Sequence, residues 1–446
     1  MKKYDVIVCG AGTSGMNAAI AARRNGARTL IVEASGLLGG TNVISLVSPF
    51  MTFHDGNRQV IKGIADEIIS RLKEQKLALG HIKDPIDFAS SITPYDVEGL
   101  KQIYFDIVEE EGIECLFHSF IYDVIMEDDK LVGIEVVNKS GKMQLFADVI
   151  IDATGDGDVC ALAGAEFIMG RSKDNKSQPM TMLFTMGNVN FDEIKEYMKN
   201  NRNDFVLADD YDFGYLGVSG FFSKVKEAME KNEFDLPRDR VLFFEDIHNN
   251  QVTINMTRVL NLSAVDAWDL SKAEMEGRQQ IKKAVKFLKD YIPGFKDSYV
   301  VRTPNAIGKR ESRHIIGDYI LTEEDLHEKR EFADSIALGA FPIDIHSPDG
   351  KSILEHRTSA NNAYEVPYRI LLPKGIENLL VTGRCVSSTH EANASLRVGP
   401  SVMALGQASG TAAALAVKHK VTPRDLDITL LQSTLRSQGQ VIKKNG

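Results

Sequence analysis

The chain has 446 residues, 43% apolar and 26% charged, which is the composition of an ordinary soluble globular protein of about two or three domains. A net charge of −10 opposes contact with phosphate backbones, so we expect no nucleic acid partner. No apolar run is long enough for a membrane span, and no apolar signal segment follows Met1. We therefore expect a cytoplasmic protein.

The N-terminal segment has the pattern of a dinucleotide-binding βαβ unit. Its predicted elements are, in order, a strand at 3–9, the glycine turn GAGTSG at 10–15, an alanine-rich helix at 16–25 and a strand at 28–32. Gly10 permits the tight turn, Gly12 lets a pyrophosphate approach the backbone, and Gly15 lets the helix pack on the strand. Glu33 is placed to accept hydrogen bonds from an adenosine ribose and disfavours a 2′-phosphate. An incidental glycine turn is the alternative, which the terminal acid argues against.

A second glycine stretch, Gly36-Leu37-Leu38-Gly39-Gly40-Thr41-Asn42, follows directly. Since it starts where the second strand ends, we interpret it as another close approach of backbone to ligand. A flexible surface turn is the alternative.

The four cysteines, Cys9, Cys115, Cys160 and Cys385, are far apart and form no C-x-x-C pair. This spacing excludes a metal or iron–sulfur site built on a local motif and the redox disulfide of a disulfide reductase. We expect four reduced thiols and no metal.

The next segment continues the α/β pattern. Its predicted elements are helices at 57–79 and 96–111, a hairpin with strands around 114–126 and 131–138, and a strand at 144–152. That last strand ends in Ala153-Thr154-Gly155-Asp156-Gly157-Asp158, again at the carboxyl edge of a sheet.

The segment from about 161 to 371 changes character, because its strands alternate more clearly between apolar and polar residues. The predicted elements are strands at 180–186, 240–245 and 252–256, a helix that begins at Ser271, and a helix opened by Thr322 and Asp325. This pattern favours an antiparallel sheet with helices, inserted as a substrate domain.

The last segment returns to the style of the first. A short strand at 379–382 precedes Gly383 and Arg384, and an alanine-rich helix at 401–418 contains Gly406 and Gly410. Small residues on a helix permit close contact with a sheet or a cofactor, and the helix N-terminus suits an anionic group.

Taken together, these motifs resemble the FAD-dependent oxidoreductases of the glutathione-reductase/fumarate-reductase superfamily, and more narrowly a large, mostly uncharacterised bacterial group of them. The resemblance rests on GAGTSG, GLLGGTN, IIDATGDGDV and NLLVTGRCVSSTHEANASLRVGPSVMALGQASGTAAAL, with middle motifs at 170–171, 178–180, 310–313, 344–346 and 364–368. It implies an α/β fold, with a Rossmann-like FAD-binding domain from residues 1–160 and 372–446. A substrate or cap domain with an antiparallel β-sheet plus helices, 161–371, is inserted between them.

The resemblance also implies which residues hold FAD: Gly10, Gly12, Gly15, Glu33, Gly39, Gly40, Thr41, Ala153, Thr154, Gly155, Gly383, Arg384 and Ser401. We find no histidine in the first domain at a defensible covalent-flavin position, so we expect FAD to be bound non-covalently.

The catalytic candidates are arginines, which bind carboxylates or enolate oxygens bidentately, and histidines, which exchange protons near neutral pH. They are His54, Arg310, Arg313, His314, His346, His390 and Glu391, with Arg310, Arg313, His346 and His390 preferred. Structural hydrogen bonds, including an ion pair of Glu311 with an arginine, are the alternative for each.

Three functions remain open at this point. The first is hydride transfer between FAD and a small organic substrate at a C–OH, C–N or C–C centre, with a separate electron donor or acceptor. The second is a fumarate-reductase-like enoate reductase, with Arg313 delivering the proton and His346 binding a carboxylate. The third is a non-catalytic flavin-binding regulatory protein. Since no second glycine fingerprint occurs, a dedicated NAD(P)H:disulfide reductase is disfavoured. A homo-oligomer is compatible with all three.

Overall fold

The computed structural model describes residues 3–348, 353–355 and 362–444. Within these ranges the strands are β1 (Lys3–Cys9), β2 (Thr29–Val32), β3 (Phe50–Met51), β4 (Ile92–Thr93), β5 (Glu114–Leu116), β6 (Phe120–Glu127), β7 (Lys130–Asn138), β8 (Gly141–Asp152), β9 (Phe167–Met169), β10 (Phe184–Gly187), β11 (Phe205–Val206), β12 (Gly217–Gly220), β13 (Val241–Glu245), β14 (Val252–Ile254), β15 (Tyr299–Arg302), β16 (Arg313–Ile315), β17 (Ser335–Gly339), β18 (Asp344–His346), β19 (Ile353–Glu355), β20 (Tyr364–Pro367) and β21 (Leu379–Val381).

The helices of the described residues are α1 (Thr13–Arg24), α2 (Thr41–Ile44), α3 (Ile64–Glu74), α4 (Val97–Glu111), α5 (Asp158–Leu162), α6 (Phe191–Asn200), α7 (Phe222–Glu230), α8 (Ala267–Tyr291), α9 (Glu323–His327), α10 (His390–Leu396), α11 (Gly399–His419) and α12 (Ile428–Ser437). None of them is both long and apolar enough to cross a membrane.

The first sheet joins the two ends of the chain. Its strand order is β5-β2-β1-β8-β7-β6, with β21 also paired to β8, and the strands from β5 to β8 run parallel. β8 pairs antiparallel with β7 through its first half and parallel with β21 over Ile150–Asp152. The C-terminal strand therefore extends the sheet where the hairpin strand β7 leaves it. The predicted α/β class with a Rossmann-like core is confirmed.

Helix α11 packs against helix α1. A Cβ added to Gly406 would overlap the carbonyl oxygen of Ser14, and one added to Gly410 would overlap that of Ala18. The small residues were predicted to allow contact with a sheet or a cofactor. The structure gives these two glycines a neighbouring helix as their partner, because α1 covers the same face of the first sheet.

The second sheet has the order β11-β12-β13-β14-β10-β15 and is antiparallel throughout, which confirms the predicted antiparallel sheet. Helix α8 buries one face against it, including Ala273, Ile281 and Phe287. The predicted start of this helix at Ser271 is wrong. Asp266 caps it instead, since its side chain accepts hydrogen bonds from the N–H groups of Trp268 and Asp269.

Two large hydrophobic cores belong to the two parts of the molecule. One holds residues from both chain ends, and the other runs from Met180 to Ile307 around the second sheet. Residues between Leu321 and Leu372 contribute to the first core. The division into 1–160 with 372–446 and 161–371 stays a proposal. The second core covers only the part of the proposed inserted domain from Met180 to Ile307.

Candidate active site

One cavity of about 680 Å³ lies where the carboxyl end of the first sheet meets the second sheet. Most of the residues predicted to hold a cofactor line it: Gly10, Gly12, Glu33, Gly40, Thr41, Ala153, Thr154, Gly155, Gly383 and Arg384. Gly15, Gly39 and Ser401 lie outside this lining. The structure thus brings together turns that are hundreds of residues apart in the chain.

The first glycine turn is closed on one side and open on the other. Gly10 has φ +101°, and a Cβ on it would lie 2.6 Å from the carbonyl oxygen of Ala153. A Cβ on Gly15 would overlap the carbonyl oxygen of Gly10, so Gly15 serves packing of α1. A Cβ on Gly12, in contrast, would come no closer than 4.0 Å to other protein atoms. No other protein atom would block a side chain at Gly12, and the open space beside Gly12 is part of the cavity.

The two glycine stretches lie side by side. The N–H of Gly39 donates to the carbonyl oxygen of Ala11 at 2.8 Å, and the Thr13 hydroxyl donates to Asn42 Oδ1 at 2.6 Å. A Cβ on Gly40 would lie 2.6 Å from Gly12 Cα. Gly39 therefore holds the second turn against the first, and Gly40 lines the cavity beside it.

Glu33 directly follows β2 and lines the cavity. Its carboxylate accepts hydrogen bonds from the N–H groups of Ala11 at 2.7 Å and Ser35 at 2.8 Å, one on each oxygen. A carboxylate has about four acceptor sites, so acceptor capacity remains for a pair of hydroxyl groups. The backbone bonds fix the carboxylate in orientation.

Two helices begin at the cavity without a side-chain cap. Gly12 precedes α1 and Val398 precedes α11, and neither provides a capping hydrogen bond. The first N–H groups of such helices are free to bind an anion, and the helix dipole favours negative charge there. Ser401, in the first turn of α11, is buried with a hydroxyl that has no hydrogen-bond partner in the described part of the chain.

A cationic pair stands beside Gly155. Arg384 and Lys309 both line the cavity, and both form ion pairs with the buried carboxylate of Asp156. Ser312 also donates to Asp156, at 2.8 Å. Burial alone would raise the pKa of Asp156, but Arg384 and Lys309 hold it below its usual value. Lys309 was not predicted, since no sequence motif links it to residue 384.

The part of the cavity formed by the second sheet and its neighbours is rich in arginine. Arg238, Arg240, Arg310 and Arg397 line it together with Asp344 and His346. Of these, sequence reasoning singled out Arg310 and His346. Arg238, Arg240 and Arg397 were missed, because single arginines on separate loops carry no spacing signal.

His346 is buried and paired. Its Nε2 lies 3.0 Å from Asp344 Oδ2, and its Nδ1 lies 3.4 Å from a guanidinium nitrogen of Arg258. Burial and the charge of Arg310 lower the pKa of His346 to about 3, although Asp344 opposes the shift. The imidazole is therefore neutral near physiological pH.

Two preferred catalytic candidates lie behind the cavity wall. Arg313 donates to the carboxylate of Asp158 at 2.8 Å and is not part of the lining. His390 Nδ1 lies 2.7 Å from Glu311 Oε1, and His314 Nε2 lies 2.9 Å from the same oxygen. The catalytic roles of Arg313 and His390 remain proposals. This geometry favours a role in which they hold the wall of the cavity in place. The predicted alternative of Glu311 pairing with an arginine is wrong, since two histidines take its carboxylate.

The remaining candidates lie elsewhere. His54 lines a separate pocket of about 450 Å³, with Nδ1 3.1 Å from the Ser91 hydroxyl. Glu391 is in the first turn of α10, outside the lining of the large cavity. All four cysteines are free, as predicted.

The residues present fit FAD. FAD is a dinucleotide with a pyrophosphate, and four features of the cavity match its needs. These are the open space at Gly12, the two uncapped helix N-termini, the oriented carboxylate of Glu33, and the cations Arg384 and Lys309. The unpartnered hydroxyl of Ser401 adds a donor near the start of α11.

The comparisons with known proteins agree with this fit. A sequence model of the family described as FAD dependent oxidoreductase matches residues 5–435. The chain is 25% identical to NADH:fumarate oxidoreductase of Klebsiella pneumoniae over 196 residues, 34% of this chain and 20% of that protein. It is 31% identical to thiamine thiazole synthase of Aeropyrum pernix over 199 residues, 40% of this chain and 65% of that protein. In each case the match spans less than two thirds of the relative's own length.

Among solved structures, p-nitrophenol 4-monooxygenase PnpA of Pseudomonas putida superposes with a TM-score of 0.51 at 11% identity, covering 98% of this chain and 89% of that one. At this identity the likeness shows a shared fold alone. The match to the family model over nearly the whole chain shows which family the protein belongs to. The protein belongs to the FAD-dependent oxidoreductase family, and it is an enzyme whose cofactor is FAD.

Proposed function

We propose that the protein transfers a hydride between non-covalently bound FAD and a small organic molecule at a C–OH, C–N or C–C centre. The observation that carries this proposal is the continuity of the cavity. A single space joins the glycine turns of the first sheet to the polar side chains of Arg310, Asp344 and His346. A substrate held by these side chains shares one space with the cofactor, as direct hydride transfer requires.

We propose that the cofactor is held along the first sheet by the residues that the sequence predicted, with Lys309 as an addition. Glu33 would bind the ribose hydroxyls, and the uncapped start of α1 would face the pyrophosphate. The uncapped start of α11 would favour negative charge on the ring system. FAD, when bound, supplies the hydride acceptor or donor.

The chain's own contribution is a site that excludes water and positions the substrate. Phe88 and Phe341 line the cavity and pack edge to face with ring centroids 5.6 Å apart, and Leu242 and Phe244 add apolar surface. Such a wall keeps water away from a reacting hydride. His346 is held in place by Asp344, and with a pKa of about 3 it can position a substrate but is a poor proton acceptor near neutral pH.

The test is an anaerobic titration of the purified yellow holoenzyme against a metabolite library. Bleaching of the flavin absorbance by an alcohol, amine or saturated acid would support the proposal. If no compound bleaches oxidised enzyme or reoxidises reduced enzyme, the proposal fails. Acid precipitation should release the flavin into the supernatant, and a yellow pellet would contradict non-covalent binding.

Reduction of an enoate is the second candidate, and a specific observation favours it. Arg310 and His346 lie in the same cavity, as an arginine proton donor and a carboxylate-binding group would. Arg313, the proton donor that the sequence suggested, is paired with Asp158 and lies outside the lining, so we propose Arg310 for that role instead. Burial, then the charges of Arg397 and Arg258, lower the pKa of Arg310 well below its usual value, which eases proton release. Reoxidation of the reduced enzyme by unsaturated acids alone would select this candidate.

The non-catalytic hypothesis is set aside, because the chain belongs to a family of enzymes. The electron donor or acceptor remains a proposal of its own. Since the sequence has no second glycine fingerprint, we propose that this partner reaches the flavin through the same cavity rather than from a dedicated nucleotide domain.

A further inference from the structure

Part of the cavity lining is apolar and belongs to neither of the two large cores. It comes from a separate, small hydrophobic cluster centred on Ile86, Ile92 and Phe244. Several members of this cluster also line the cavity, and we call them the apolar shelf: Met51, Ile86, Phe88, Leu242 and Phe244.

Strand β13 contributes to both the second core and the apolar shelf. Val241 and Phe243 belong to the core that also holds the buried face of α8, whereas Leu242 and Phe244 line the cavity. Successive side chains of a strand point to opposite faces, so this part of the cavity lies on the face of β13 that is turned away from α8. A sheet face that meets water usually carries polar residues. β13 instead presents two apolar side chains to the cavity.

The protein covers the apolar shelf incompletely. Met51, Phe88 and Leu242 are only partly buried, although they pack in a hydrophobic cluster. Phe341 extends the shelf, since it lines the cavity and its ring packs edge to face against Phe88. Apolar surface in contact with water is unfavourable, and covering it stabilises a ligand in proportion to the area removed from water. The wall that excludes water is therefore also a binding surface.

One segment joins the apolar shelf to the polar end of the cavity. Phe341 lies three residues before Asp344 and five before His346, and all three line the cavity. The carbonyl oxygen of Phe341 accepts a hydrogen bond from the Ser395 hydroxyl at 2.5 Å, which holds this segment against α10. A single molecule can therefore contact the shelf with an apolar part and the polar end with a polar group. Ligand sites commonly combine apolar surface with a few polar groups in this way.

We propose that the substrate has an apolar body of the size of a phenyl or cyclohexyl ring, bound on the apolar shelf, and a polar group at the end that reacts with FAD. This inference rests on the proposed function, since it names the body of the molecule that exchanges hydride with FAD. It makes the site selective for bulk, because a short-chain molecule would leave the shelf in contact with water.

The test is calorimetric binding to the FAD-loaded enzyme with probes that share a polar group and differ in their body. Propionate is compared with phenylpropionate and cyclohexylpropionate, and propanol is compared with phenylpropanol. In at least one series, the ring compounds should have dissociation constants at least about tenfold lower than the short compound, because the ring removes apolar surface from water. The series that responds identifies the polar group, and tighter binding of the phenyl than of the cyclohexyl compound makes the body aromatic. No advantage of a ring in either series would overturn the proposal.

Covering of the apolar shelf by the cofactor is the alternative, and the same probes exclude or establish it. In that case the ring compounds would compete with FAD for the apoprotein and would bind the holoenzyme no better than propionate or propanol. This result would overturn the proposal.

Variants locate the effect on the apolar shelf. Leu242→Ala and Phe88→Ala should each reduce the advantage of the ring about threefold or more, because they remove apolar contact area. Leu242→Trp should fill part of the shelf and weaken phenylpropionate binding, with propionate binding little changed. Phe105→Ala is the matched control, since Phe105 is also a partly buried phenylalanine, packs 5.9 Å from the Phe117 ring centroid and does not line the cavity.

FAD content and circular dichroism establish that each variant is folded. The readout is the ratio of dissociation constants within a series, which a general loss of stability would not change. Folded Leu242→Ala and Leu242→Trp proteins that keep the wild-type ratio would overturn the assignment, and these two variants decide it if Phe88→Ala does not fold.

The two proposals fail separately. A ring advantage without flavin bleaching by any metabolite would uphold the apolar shelf and reject hydride transfer. Bleaching by short-chain metabolites alone would uphold hydride transfer and reject the apolar body.

Discussion

Gly410 on helix α11 faces the carbonyl oxygen of Ala18 on helix α1 so closely that a Cβ on Gly410 would overlap that oxygen. The two helices come from opposite ends of the chain, and their contact ties the C-terminal segment to the helix that follows the first glycine turn.

We therefore expect Gly410→Ala to destabilise the protein, although alanine favours a helix by about 1 kcal/mol over glycine. The clash is with backbone, so the helices must move apart, and overpacking of this kind costs about 1–3 kcal/mol. Urea unfolding of the two proteins measures the difference. Gly277→Ala on α8 is the control, because its Cβ would meet only the flexible side chain of Met182. A Gly410→Ala protein as stable as Gly277→Ala would contradict the helix contact.

Gly12 and Gly15 should respond differently to alanine. Since a Cβ on Gly12 keeps 4.0 Å from protein atoms, Gly12→Ala should leave the FAD-free protein about as stable as wild type and weaken FAD binding. Gly15→Ala should destabilise the FAD-free protein, because its Cβ overlaps the carbonyl oxygen of Gly10. Unfolding of the apoprotein and quenching of FAD fluorescence measure the two effects. Unchanged FAD affinity in Gly12→Ala would argue against a pyrophosphate at this turn.

Arg384→Gln should weaken FAD binding about tenfold or more, because a hydrogen bond to a charged group contributes about 1.5–3 kcal/mol. The loss should shrink at high salt, where charge interactions are screened. Titration of apoprotein with FAD at two ionic strengths measures both. Arg424→Gln is the control, since Arg424 pairs with Asp318 and Glu377 and does not line the cavity. Equal FAD affinities in the two variants would remove Arg384 from the cofactor site.

Glu311 should make stability depend on pH in the acid range. Burial alone would raise its pKa, but hydrogen bonds from His314 and His390 hold the pKa at about 2, below the ordinary 4.5. A folded-state pKa below the unfolded one stabilises the protein above pH 4.5, and this stabilisation is lost as pH falls toward 2. The full effect is about 3 kcal/mol.

Urea unfolding of wild type and Glu311→Gln from pH 7 to pH 2.5 tests this. The difference in unfolding free energy should be constant above about pH 5.5 and should narrow at lower pH. A difference that stays constant over the whole range would show that the two histidines do not hold a carboxylate.

Much of the first sheet and of the turns beside it was predictable because the signals in the sequence are local. The turn at Gly10, the acid at Glu33 and the capping box of Thr322 with Asp325 depend on residues close together in the chain, and each is present in the structure. The start of helix α8 was wrongly predicted at Ser271, because Asp266, five residues earlier, is an equally local capping residue. Local hydrogen bonding decided between them.

The candidate site was predictable only in part. Arg310 and His346 were found by residue type, and they line the cavity. Arg313 and His390 were chosen on the same grounds, yet they lie behind its wall. Residue type states what a side chain can do, but the direction in which it points depends on how the strand or helix packs.

The sequence by itself determined the glycine turns, the end of the second strand and the acid that follows it, because these features depend on residues within about thirty positions and on local backbone sterics. Only the tertiary structure decided that Arg238, Arg258 and Arg397 meet around His346. These residues lie on separate loops up to 159 positions apart. Their convergence is set by the packing of the second sheet against the first, which no local pattern in the chain encodes.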